Sequence, residues 1–494
     1  MSRNKLQNYI HQEFEVAIDA LSARGWGQGS FIDEQRNQKR IDVEVRGALP
    51  GDIVRVEGRH IENSMVQSKI LSFVHQAYPR IPLGCPHAAP RCDKDTGCGG
   101  CTLRDCAYET QCRLKEDILR RALNNHGINM EISPIIGCDS QLNYRNKVEL
   151  SFGPDGGGEL GVGLHPAGFK HEVIAMKYCD LLSELLPELA QKTTQWAKSL
   201  GIPAYTFRTN EGFLRLLTLR EGKRTGATML ILTTSCLQSI ETDYHQMMSP
   251  EAVIDDFIRN VVQQLSRKID TFYWTIVHAE KGKPTELEDR LMFGPPVLGE
   301  TMFMPDENSA LHFEILPRAF FQPNTIQAER LYQIVLKQAE PFMNSHTSML
   351  DLYCGTGTIG LSFARHGHHV IAVDIEKQAI DNARKNAIQN GLEDLVEFYA
   401  GDTAEILKDL LDAQGNYSDF LLVVDPPRRG LLPPAYKQIM RLNLNTIIYV
   451  SCNPESLAAD LKNFQNDGYH ILNIQPVDML PQTAHLETVV TLHR

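Results

Sequence analysis

Two features of membrane and exported proteins are missing from this 494-residue sequence. No stretch approaches the roughly 18 consecutive apolar residues that indicate a membrane-spanning helix. The N-terminal stretch MSRNKLQNYIHQEFEV is polar and lacks the apolar segment of a secretory signal. Internal repeats and long flexible linkers are missing too. We therefore expect a cytoplasmic protein with no membrane partner, built from about three domains of ordinary size.

A surplus of positive charge is also missing. Lys and Arg number 49 against 61 Asp and Glu, which gives a formal net charge of −12. This balance excludes a histone-like protein or a basic-tail binder that coats a polyanion, but it leaves room for a local basic cleft. Hydrophobic residues at 42% and charged residues at 22% are ordinary for a globular protein and exclude a collagenous or disordered chain.

Cysteine, in contrast, is concentrated in one part of the chain. The sequence holds 11 cysteines, and most of them precede residue 140. Because thiols stay reduced in the cytoplasm, a cluster of cysteines there favours metal binding or catalysis over disulfides.

The first of three predicted domains covers residues 1–75. Between residues 13 and 74, apolar and polar residues alternate in several short runs, which is typical of half-buried antiparallel strands. Several short strands in such a segment predict a small closed or nearly closed β-barrel. The turns between the strands are predicted at glycines, among them Gly25, Gly27 and Gly29.

The second predicted domain, residues 76–310, begins with the cysteine-rich segment and a helix at 114–123. Its remaining part mixes strand-like runs with one clear helix at 185–199, which is an α+β pattern. In the third predicted domain, residues 311–494, strands alternate with helical segments. This order predicts βαβ units and a doubly wound parallel sheet, and thus an α/β fold.

The strongest local motif of the third domain is MLDLYCGTGTIGLSFARHGHHVIAVDI, residues 349–375. A strand is followed by a glycine turn, a helix and a second strand that ends in Asp374, a carboxylate placed to accept hydrogen bonds from ribose hydroxyls. The glycines at 355, 357 and 360 fit a dinucleotide site, a different nucleoside site or a purely structural turn. Asp351 favours S-adenosylmethionine, which carries no phosphate for this acid to repel, over a nicotinamide dinucleotide. The segment resembles the cofactor loop of class I methyltransferases.

Two further segments follow predicted strands, LLVVDPPRRG with Asp425 and IIYVSCNPESL with Cys452. In doubly wound sheets the ligand crevice lies at the carboxyl ends of the strands, so both side chains are expected to face it. A lone cysteine is often a small buried apolar residue. Cys452, however, precedes Asn-Pro and a helix start, and a helix N-terminus lowers the pKa of a thiol. This placement favours a nucleophile.

Near the C-terminus, His485 and Glu487 stand at alternate positions of a strand and therefore share one face. Taken alone, this pattern is also typical of a solvated strand.

Five motifs in order resemble the uridine-C5 RNA methyltransferase family, which includes 23S rRNA and tRNA uracil-5 enzymes. They are FFQPN at 320–324, DLYCGTGTIGL, VDPPRRG, YVSCNPESLA and H-x-E-T-V. YRNKVEL at 144–150 and LGVGLHPAG at 160–168 are similar to the central domain of that family, and the N-terminal barrel looks like its TRAM domain, an OB-like RNA-binding barrel. The resemblance implies a class I (Rossmann-like) methyltransferase domain after an α+β domain and this barrel.

The resemblance also implies roles for individual residues. Cys452 is expected to add to C6 of uracil, and Glu487 is expected to remove the C5 proton after methyl transfer. The residues expected to line the S-adenosylmethionine site are Gln322, Tyr353, Asp374, Asp402 and Asp425.

The cysteine segment resembles that of family members with an iron–sulfur cluster. The expected [4Fe–4S] ligands are Cys92, Cys98, Cys101 and Cys179. Cys85, seven residues before Cys92, is the alternative first ligand. Zinc is the competing metal, although four-cysteine zinc sites usually pair two short C-x2–4-C motifs and only one C-x2-C occurs here.

The expected partner is an RNA substrate, with 23S rRNA favoured, tRNA as the alternative, and the chain acting as a monomer. A non-catalytic RNA-binding ribosome assembly factor is a second hypothesis, and a cytosine-C5 methyltransferase is a third. An RNA substrate requires the positive charge to be unevenly distributed. We expect a basic cleft around Arg428, Arg429, one face of the barrel, and the basic residues Arg113, Lys115, Arg120 and Arg121.

Overall fold

A computed structural model of the chain describes residues 6–33, 39–88, 97–169, 171–279, 282–304, 310–413, 417 and 419–494. Among the helices of these ranges, none is both long and apolar enough to span a lipid bilayer.

The N-terminal segment forms a closed five-stranded barrel with the strand order β1-β2-β3-β5-β4. Its strands are β1 (Glu13–Leu21), β2 (Gly27–Asp33), β3 (Lys39–Val45), β4 (Ile53–Glu62) and β5 (Met65–His75). Alternate residues such as Val16, Ile41, Val43, Val54 and Val56 fill the interior. The apolar–polar alternation of the sequence therefore predicts the barrel correctly, because successive strand residues point to opposite faces.

Strand β2 corrects the prediction that Gly27 and Gly29 lie in turns. Both belong to the strand, and only Gly25 has a positive φ, of +78°. A Cβ on Gly29 would lie 2.1 Å from the carbonyl oxygen of Ala17 on the neighbouring strand. The glycines therefore permit close approach of two backbones, which is a second reason for glycine inside a strand.

The middle of the chain is built around a seven-stranded sheet with the order β14-β13-β10-β9-β6-β7-β8. Helix α1 (Tyr108–Asn125) precedes the strands of this sheet in the chain. The following elements, in chain order, are β6 (Lys147–Pro154), β7 (Leu160–Leu164), β8 (Ile174–Ala175), α2 (Leu185–Leu200), β9 (Leu214–Glu221), β10 (Thr228–Ser235), β11 (Ile240–Glu241), β12 (Met247–Met248), α3 (Pro250–Asn260), β13 (Thr271–His278) and β14 (Glu286–Phe293).

One face of this central sheet packs against α2 and α3. Trp196 and Phe257 of the helices share a core with Leu217, Leu230 and Trp274 of the strands. The next two strands, β15 (Leu298–Phe303) and β16 (Ala310–Ile315), form a separate two-stranded ribbon. The predicted boundary between residues 310 and 311 falls inside this ribbon, and the three domain boundaries stay predictions.

The C-terminal part is a second seven-stranded sheet with helices on both faces. Its elements are α4 (Thr325–Ala339), β17 (Ser348–Leu352), α5 (Thr358–Arg365), β18 (Val370–Asp374), α6 (Lys377–Gln389), β19 (Val396–Ala400), α7 (Thr403–Asp412), β20 (Phe420–Val424), α8 (Pro433–Leu442), β21 (Thr446–Ser451), α9 (Pro454–Asn466), β22 (His470–Val477) and β23 (Glu487–His493). The strand order is β19-β18-β17-β20-β21-β23-β22. The first five strands are parallel, and β23 is antiparallel to both of its neighbours.

Helix α1 connects the cysteine segment to the parallel sheet. Leu119 and Leu123 of α1 are buried in the core that covers one face of this sheet, together with Leu350 and Val424. The helix therefore packs on the C-terminal sheet, although it precedes the central sheet in the chain.

Candidate active site

The carboxyl ends of the parallel strands bring the predicted site residues to one edge of the sheet. Tyr353 follows β17, Asp374 ends β18, Asp425 follows β20 and Cys452 follows β21. Strand β23 runs the other way, so it begins at this same edge.

The pairing of β21 with β23 places the predicted nucleophile beside the predicted base. Ser451 is the register partner of Thr488, so the residues one step further, Cys452 and Glu487, adjoin each other. This juxtaposition joins two motifs that lie 35 residues apart in the chain.

The electrostatic surroundings of Cys452 differ from the expectation. Burial, followed by the charges of Glu487 and Asp425, raises the pKa of the thiol to about 11, and Arg428 acts in the opposite direction. A helix does begin two residues later, at Pro454. The prediction that its N-terminus lowers the thiol pKa is therefore wrong for this site, because burial and, after it, two nearby carboxylates raise that pKa.

Both carboxylic acids at this edge hold their protons more tightly than usual. Burial raises the pKa of Asp425 to about 7. Burial, and secondly the charge of Asp425, raises the pKa of Glu487 well above its usual value, while Arg428 lowers it.

Arg428 connects the two loops around the site. One guanidinium nitrogen lies 3.3 Å from Nδ1 of His485. The main-chain carbonyl of Arg428 accepts hydrogen bonds from Asn453 Nδ2 at 2.7 Å and from the Ser456 hydroxyl at 3.1 Å. Burial and then Arg428 lower the pKa of His485 to about 4, so its imidazole is neutral at physiological pH.

The glycine-rich turn brings the backbone close to the cofactor side of the sheet. Gly355 and Gly357 have φ values of +55° and +82°. A Cβ on Gly360 would lie 3.0 Å from Asp351 Oδ2 and 3.1 Å from Val370 Cγ1, so the third glycine allows α5 to pack closely on the strands. The Gly355 amide donates to Asp374 Oδ2 at 2.9 Å, which fixes the end of β18 against the turn.

Asp351 is buried beneath this turn. Its Oδ2 accepts a hydrogen bond from the Gly360 amide at 2.8 Å, whereas its buried Oδ1 has no partner among the described residues. Burial raises its pKa to about 7. Next to it, Tyr353 has a φ of +67°, a left-handed conformation that is strained for a tyrosine and is found mostly at functional sites.

Gln322 lies in a loop that the central part of the chain holds in place. The main-chain carbonyl of Gln322 accepts a hydrogen bond from the side-chain Nδ2 of Asn146 at 2.7 Å. The main-chain N–H of Asn146 donates to the Pro323 carbonyl at 2.9 Å. Asn146 was not predicted as a site residue. Its position in the YRNKVEL motif was the available signal, because that motif matched the family without an assigned function.

Asp402 has a structural contact in addition to its expected cofactor role. Its Oδ1 accepts hydrogen bonds from the amides of Ala404 at 2.9 Å and Glu405 at 3.3 Å, so it caps the N-terminus of α7. Asp402 is also exposed at the sheet edge.

The loop that leads to Glu487 is anchored by a buried ion pair. Lys115 and Asp478 are both fully buried, with Nζ 2.5 Å from Oδ1, and Tyr108 donates to the other carboxylate oxygen at 2.9 Å. This contact corrects the prediction that Lys115 contributes to a basic cleft. Arg120 likewise pairs with its helix neighbours Glu116 and Asp117.

Four cysteines line one cavity of about 280 Å³ between the cysteine-rich segment and the central sheet: Cys85, Cys98, Cys101 and Cys179. Three of them are among the expected ligands, and Cys85 is the alternative one. Cys92 lies outside the described residues. Burial, as the largest cause, raises the thiol pKa of Cys98 and Cys179, and that of Cys101 to about 12.

The donor atoms around this cavity do not form a site for a single metal ion. Within the ranges given above, no three His, Cys, Asp or Glu side chains are arranged to hold one. Two guanidinium groups, those of Arg104 and Arg145, line the same cavity, and Nε of Arg145 is buried without a described partner.

Comparison with known proteins identifies the family. Residues 244–494, more than half of the chain, match the family model described as tRNA (uracil-5-)-methyltransferase. An uncharacterised RNA methyltransferase of Protochlamydia amoebophila (strain UWE25) is 33% identical over 454 residues, which cover 91% of this chain and 99% of that protein. The chain belongs to the tRNA (uracil-5-)-methyltransferase family.

A second relative and one solved structure are similar to this chain over nearly its whole length. An uncharacterised RNA methyltransferase of Caldanaerobacter subterraneus is 31% identical over 481 residues. The aligned region covers 97% of this chain and 98% of that protein. The crystal structure of Pyrococcus abyssi tRNA (uracil-54, C5)-methyltransferase, in complex with S-adenosyl-L-homocysteine, superposes with a TM-score of 0.69 at 25% identity. The match covers 97% of this chain and 100% of that one.

These matches establish an S-adenosylmethionine-dependent RNA methyltransferase with a class I fold. The residues of the loop fit this cofactor. Asp351 offers a buried oxygen without a described partner to a cationic amino group. Apart from its neighbours in the chain, no described residue lies within 4 Å of where a Cβ of Gly355 would be.

Proposed function

We propose that the chain methylates C5 of a uridine in RNA through a covalent bond between Cys452 and C6 of the base. The observation that carries the proposal is the adjacency of Cys452 and Glu487 at the carboxyl edge of the sheet, beside the glycine-rich loop. The alternative of a non-catalytic assembly factor predicts a degraded nucleophile or base, and both side chains are intact here.

Each of these two residues has a distinct task. Uracil C5 is a weak nucleophile, and addition of the Cys452 thiolate to C6 makes C5 enolate-like. S-adenosylmethionine supplies the methyl group that C5 receives. Glu487 then takes the C5 proton, the electron pair of that C–H bond restores the C5–C6 double bond, and the thiolate leaves.

The thiol must lose its proton before it can add to the base. Its raised pKa leaves it mainly protonated near neutral pH. Asp425, a carboxylate whose charge acts on Cys452, is proposed to accept this proton, so that Glu487 stays free to take the C5 proton later. Arg428 stabilises the anionic forms of Cys452 and Glu487.

The cofactor is proposed to be held along the same edge. Asp374 is assigned to the ribose and Asp402 to the adenine side of the site, with Asp402 also serving as the helix cap described above. Tyr353, Gln322 and Asp425 complete the proposed lining, and Asn146 holds the loop of Gln322.

The class of RNA has two candidates. The combination of barrel and cysteine segment favours 23S rRNA. The structural neighbour from Pyrococcus abyssi acts on uracil 54 of tRNA, and this keeps tRNA as the second candidate. We propose that the protein acts in the cytoplasm as a monomer.

We also propose a [4Fe–4S] cluster at the four-cysteine cavity. Cys85, Cys98, Cys101 and Cys179 supply four thiolates, the usual ligand set of such a cluster. Arg104 and Arg145 supply positive charge beside these thiolates. Cys85, which lines the cavity, is proposed as the first ligand, and Cys92, which lies outside the described residues, is the alternative. The proposed role of the cluster is structural, because methyl transfer to C5 transfers no electrons to or from a metal.

The direct test is nucleoside mass spectrometry of 23S rRNA and tRNA after incubation with the protein and S-adenosylmethionine. Wild-type protein is expected to form 5-methyluridine in one of them, and Cys452→Ala is expected to form none. Cys236→Ala is the matched control, since Cys236 is an exposed cysteine of the central sheet region and should keep full activity. Methylation by the Cys452→Ala variant would contradict the proposed nucleophile.

A further inference from the structure

A cavity of about 1120 Å³ lies on the face of the central sheet that α2 and α3 leave open. Its floor is formed by alternate strand residues, among them Lys147, Glu149 and Ser151 on β6, Thr218 on β9 and Thr233 on β10. Because successive strand residues point to opposite faces, their neighbours in sequence are the ones buried under the helices. The volume exceeds the roughly 300–1,000 Å³ of small-molecule pockets, which indicates an extended ligand.

An aromatic hairpin forms one rim of the cavity. The Arg215 guanidinium lies 3.5 Å from the centre of the Tyr205 ring. The Phe207 ring meets Tyr205 edge to face, with centroids 5.1 Å apart, and Phe207 itself is 74% exposed. The Tyr205 amide donates to the Leu214 carbonyl at 2.8 Å, which holds the hairpin closed. An exposed aromatic ring on a fixed backbone is a platform for stacking a planar group.

The charge of the cavity is the reverse of the charge of the whole chain. Its lining holds four fixed cations (Lys147, Arg208, Arg215 and Arg318) and one carboxylate (Glu149). Lys147 pairs with Glu149, and Arg318 pairs with Asp289. Arg208 and Arg215 have no carboxylate partner among the described residues. In a protein of net charge −12, this local excess fits an anionic ligand.

The cavity is also connected to the catalytic part of the molecule. Ile231 of its lining and Tyr273 of the same face belong to one core with Phe321 and Ile359 of the C-terminal part. Arg318, another lining residue, lies four residues before Gln322. A chain-like ligand on the sheet face can therefore extend toward the loop that carries Gln322.

We propose that this face binds a single-stranded segment of the substrate RNA that flanks the target uridine. A base stacks on Phe207, and phosphates contact Arg208 and Arg215. Exposed aromatic rings combined with basic side chains are the common means of binding single-stranded nucleic acid. This inference rests on the proposed function in one respect only, namely that the bound RNA is the substrate for methylation.

The first test measures binding of a fluorescently labelled single-stranded RNA by anisotropy, with the full-length protein in the Cys452→Ala background so that no chemistry occurs. Phe207→Ala is expected to weaken binding about ten-fold or more, the loss expected from one base–aromatic stack. Tyr244→Ala is the matched control, because Tyr244 is 60% exposed and lies outside the cavity. It should leave the affinity unchanged.

The second measurement separates phosphate contact from stacking. Arg208→Ala should reduce the slope of log affinity against log salt concentration by about 0.7, the value for one phosphate contact of a single strand. Arg259→Ala, at an exposed position of α3, should leave the slope unchanged. Crosslinks from RNA containing 4-thiouridine should map to residues 204–218.

The proposal is overturned if Phe207→Ala binds RNA as tightly as its parent, or if the crosslinks map only to other segments. Binding of an apolar peptide that RNA does not displace would also overturn it. If no RNA gains 5-methyluridine while binding still depends on Phe207, the proposed methylation fails and the RNA site stands. If methylation occurs and Phe207 has no effect on binding, only the RNA site fails.

Discussion

Cys452 lies among groups of opposite charge. Burial has the largest effect and raises the pKa of its thiol, the charges of Glu487 and Asp425 raise it further, and Arg428 lowers it. The pKa of the thiol matters for reactivity, because it sets the fraction of thiolate and only the thiolate is nucleophilic. Burial and the charges of these carboxylates therefore favour the thiol over the thiolate in the free protein.

Alkylation by iodoacetamide reports this thiol pKa directly. With a pKa of about 11, the alkylation rate of Cys452 should rise about ten-fold per pH unit between pH 7 and 10. Asp425→Asn removes a negative neighbour, lowers the thiol pKa and should raise the rate throughout this range. Glu455→Gln, at an exposed carboxylate in the first turn of α9, is the control. A rate that levels off below pH 9 in the wild-type protein would contradict this description.

Gly360 shows how one missing side chain allows the cofactor loop to pack. Gly360→Ala would force its Cβ against Asp351 and Val370, at 3.0 and 3.1 Å. Overpacking of this kind costs about 1–3 kcal/mol, so the free energy of unfolding in urea should fall by that amount. Gly156→Ala, at a turn where nothing lies within 4 Å of the added atom, should change it by less than about 0.5 kcal/mol. Equal stabilities of the two variants would refute the close packing.

At the scale of elements, α1 positions the loop that ends in the proposed base. Lys115 of this helix pairs with Asp478, and Gln111 donates to the Gln482 side chain and accepts from its amide. Gln482 itself has a φ of +71°. These contacts hold a left-handed residue five positions before Glu487, so α1 acts on the active site without touching it.

Removal of one partner from this ion pair should be severe. Lys115→Met leaves the Asp478 carboxylate buried without its cation, which typically costs about 3–5 kcal/mol. The free energy of unfolding from urea denaturation measures this loss. Arg120→Ala, which removes an exposed ion pair on the same helix, should cost at most about 1 kcal/mol. A loss of similar size in both variants would contradict the importance of the buried pair.

The elements themselves were predictable where the hydrophobic pattern is strong. The helix predicted over 185–199 differs from α2 by one residue at its end. Strand β2 was missed because its glycines resemble turn residues, and only the neighbouring strand explains them. Helix α1 begins at Tyr108, six residues earlier than predicted, because its first turns are polar residues that tertiary contacts bury.

The site was predictable where one motif carries one function. Cys452 and Asp425 were placed at strand ends by sequence, and the strand order brings Glu487 to the same edge. The prediction that His485 and Glu487 share one strand face is wrong, because β23 begins only at Glu487. Lys115 was misassigned, because a lysine on a basic helix surface and a lysine buried against Asp478 look alike in sequence. Neither the pKa of Cys452 nor the contacts of Asn146 can be read from local spacing, since both depend on distant segments.

At the scale of the whole molecule, the cysteine-rich segment that lines the cysteine cavity contacts both the barrel and the central sheet region. A guanidinium nitrogen of Arg46, just beyond β3, donates to the Gly97 carbonyl at 3.4 Å, and Cys98 forms isolated bridges with Ala88 and Pro166. A cluster at this position would fix the orientation of the barrel relative to the sheet that holds the proposed RNA-binding face. The net charge of −12 is thus compatible with an RNA substrate, because cations are gathered at particular faces.

Metal analysis of anaerobically purified protein tests the cluster. We expect about four iron and four sulfide per chain. Cys85→Ser should lose the cluster, whereas Cys92→Ser and the exposed control Cys236→Ser should keep it. Stoichiometric zinc would contradict the cluster, and loss of iron in Cys92→Ser but not in Cys85→Ser would reverse the choice of ligand.

The central claim is the covalent bond between Cys452 and uracil C6, and RNA containing 5-fluorouridine tests it most directly. Fluorine replaces the hydrogen that Glu487 must remove as a proton, so the thiolate cannot leave after methyl transfer. With S-adenosylmethionine, mass spectrometry of the denatured complex should find the methylated fluorouridine attached to Cys452. The Cys452→Ala variant should form no such complex. A covalent complex through another residue, or methylation of ordinary RNA with no complex on the fluorinated RNA, would contradict the account.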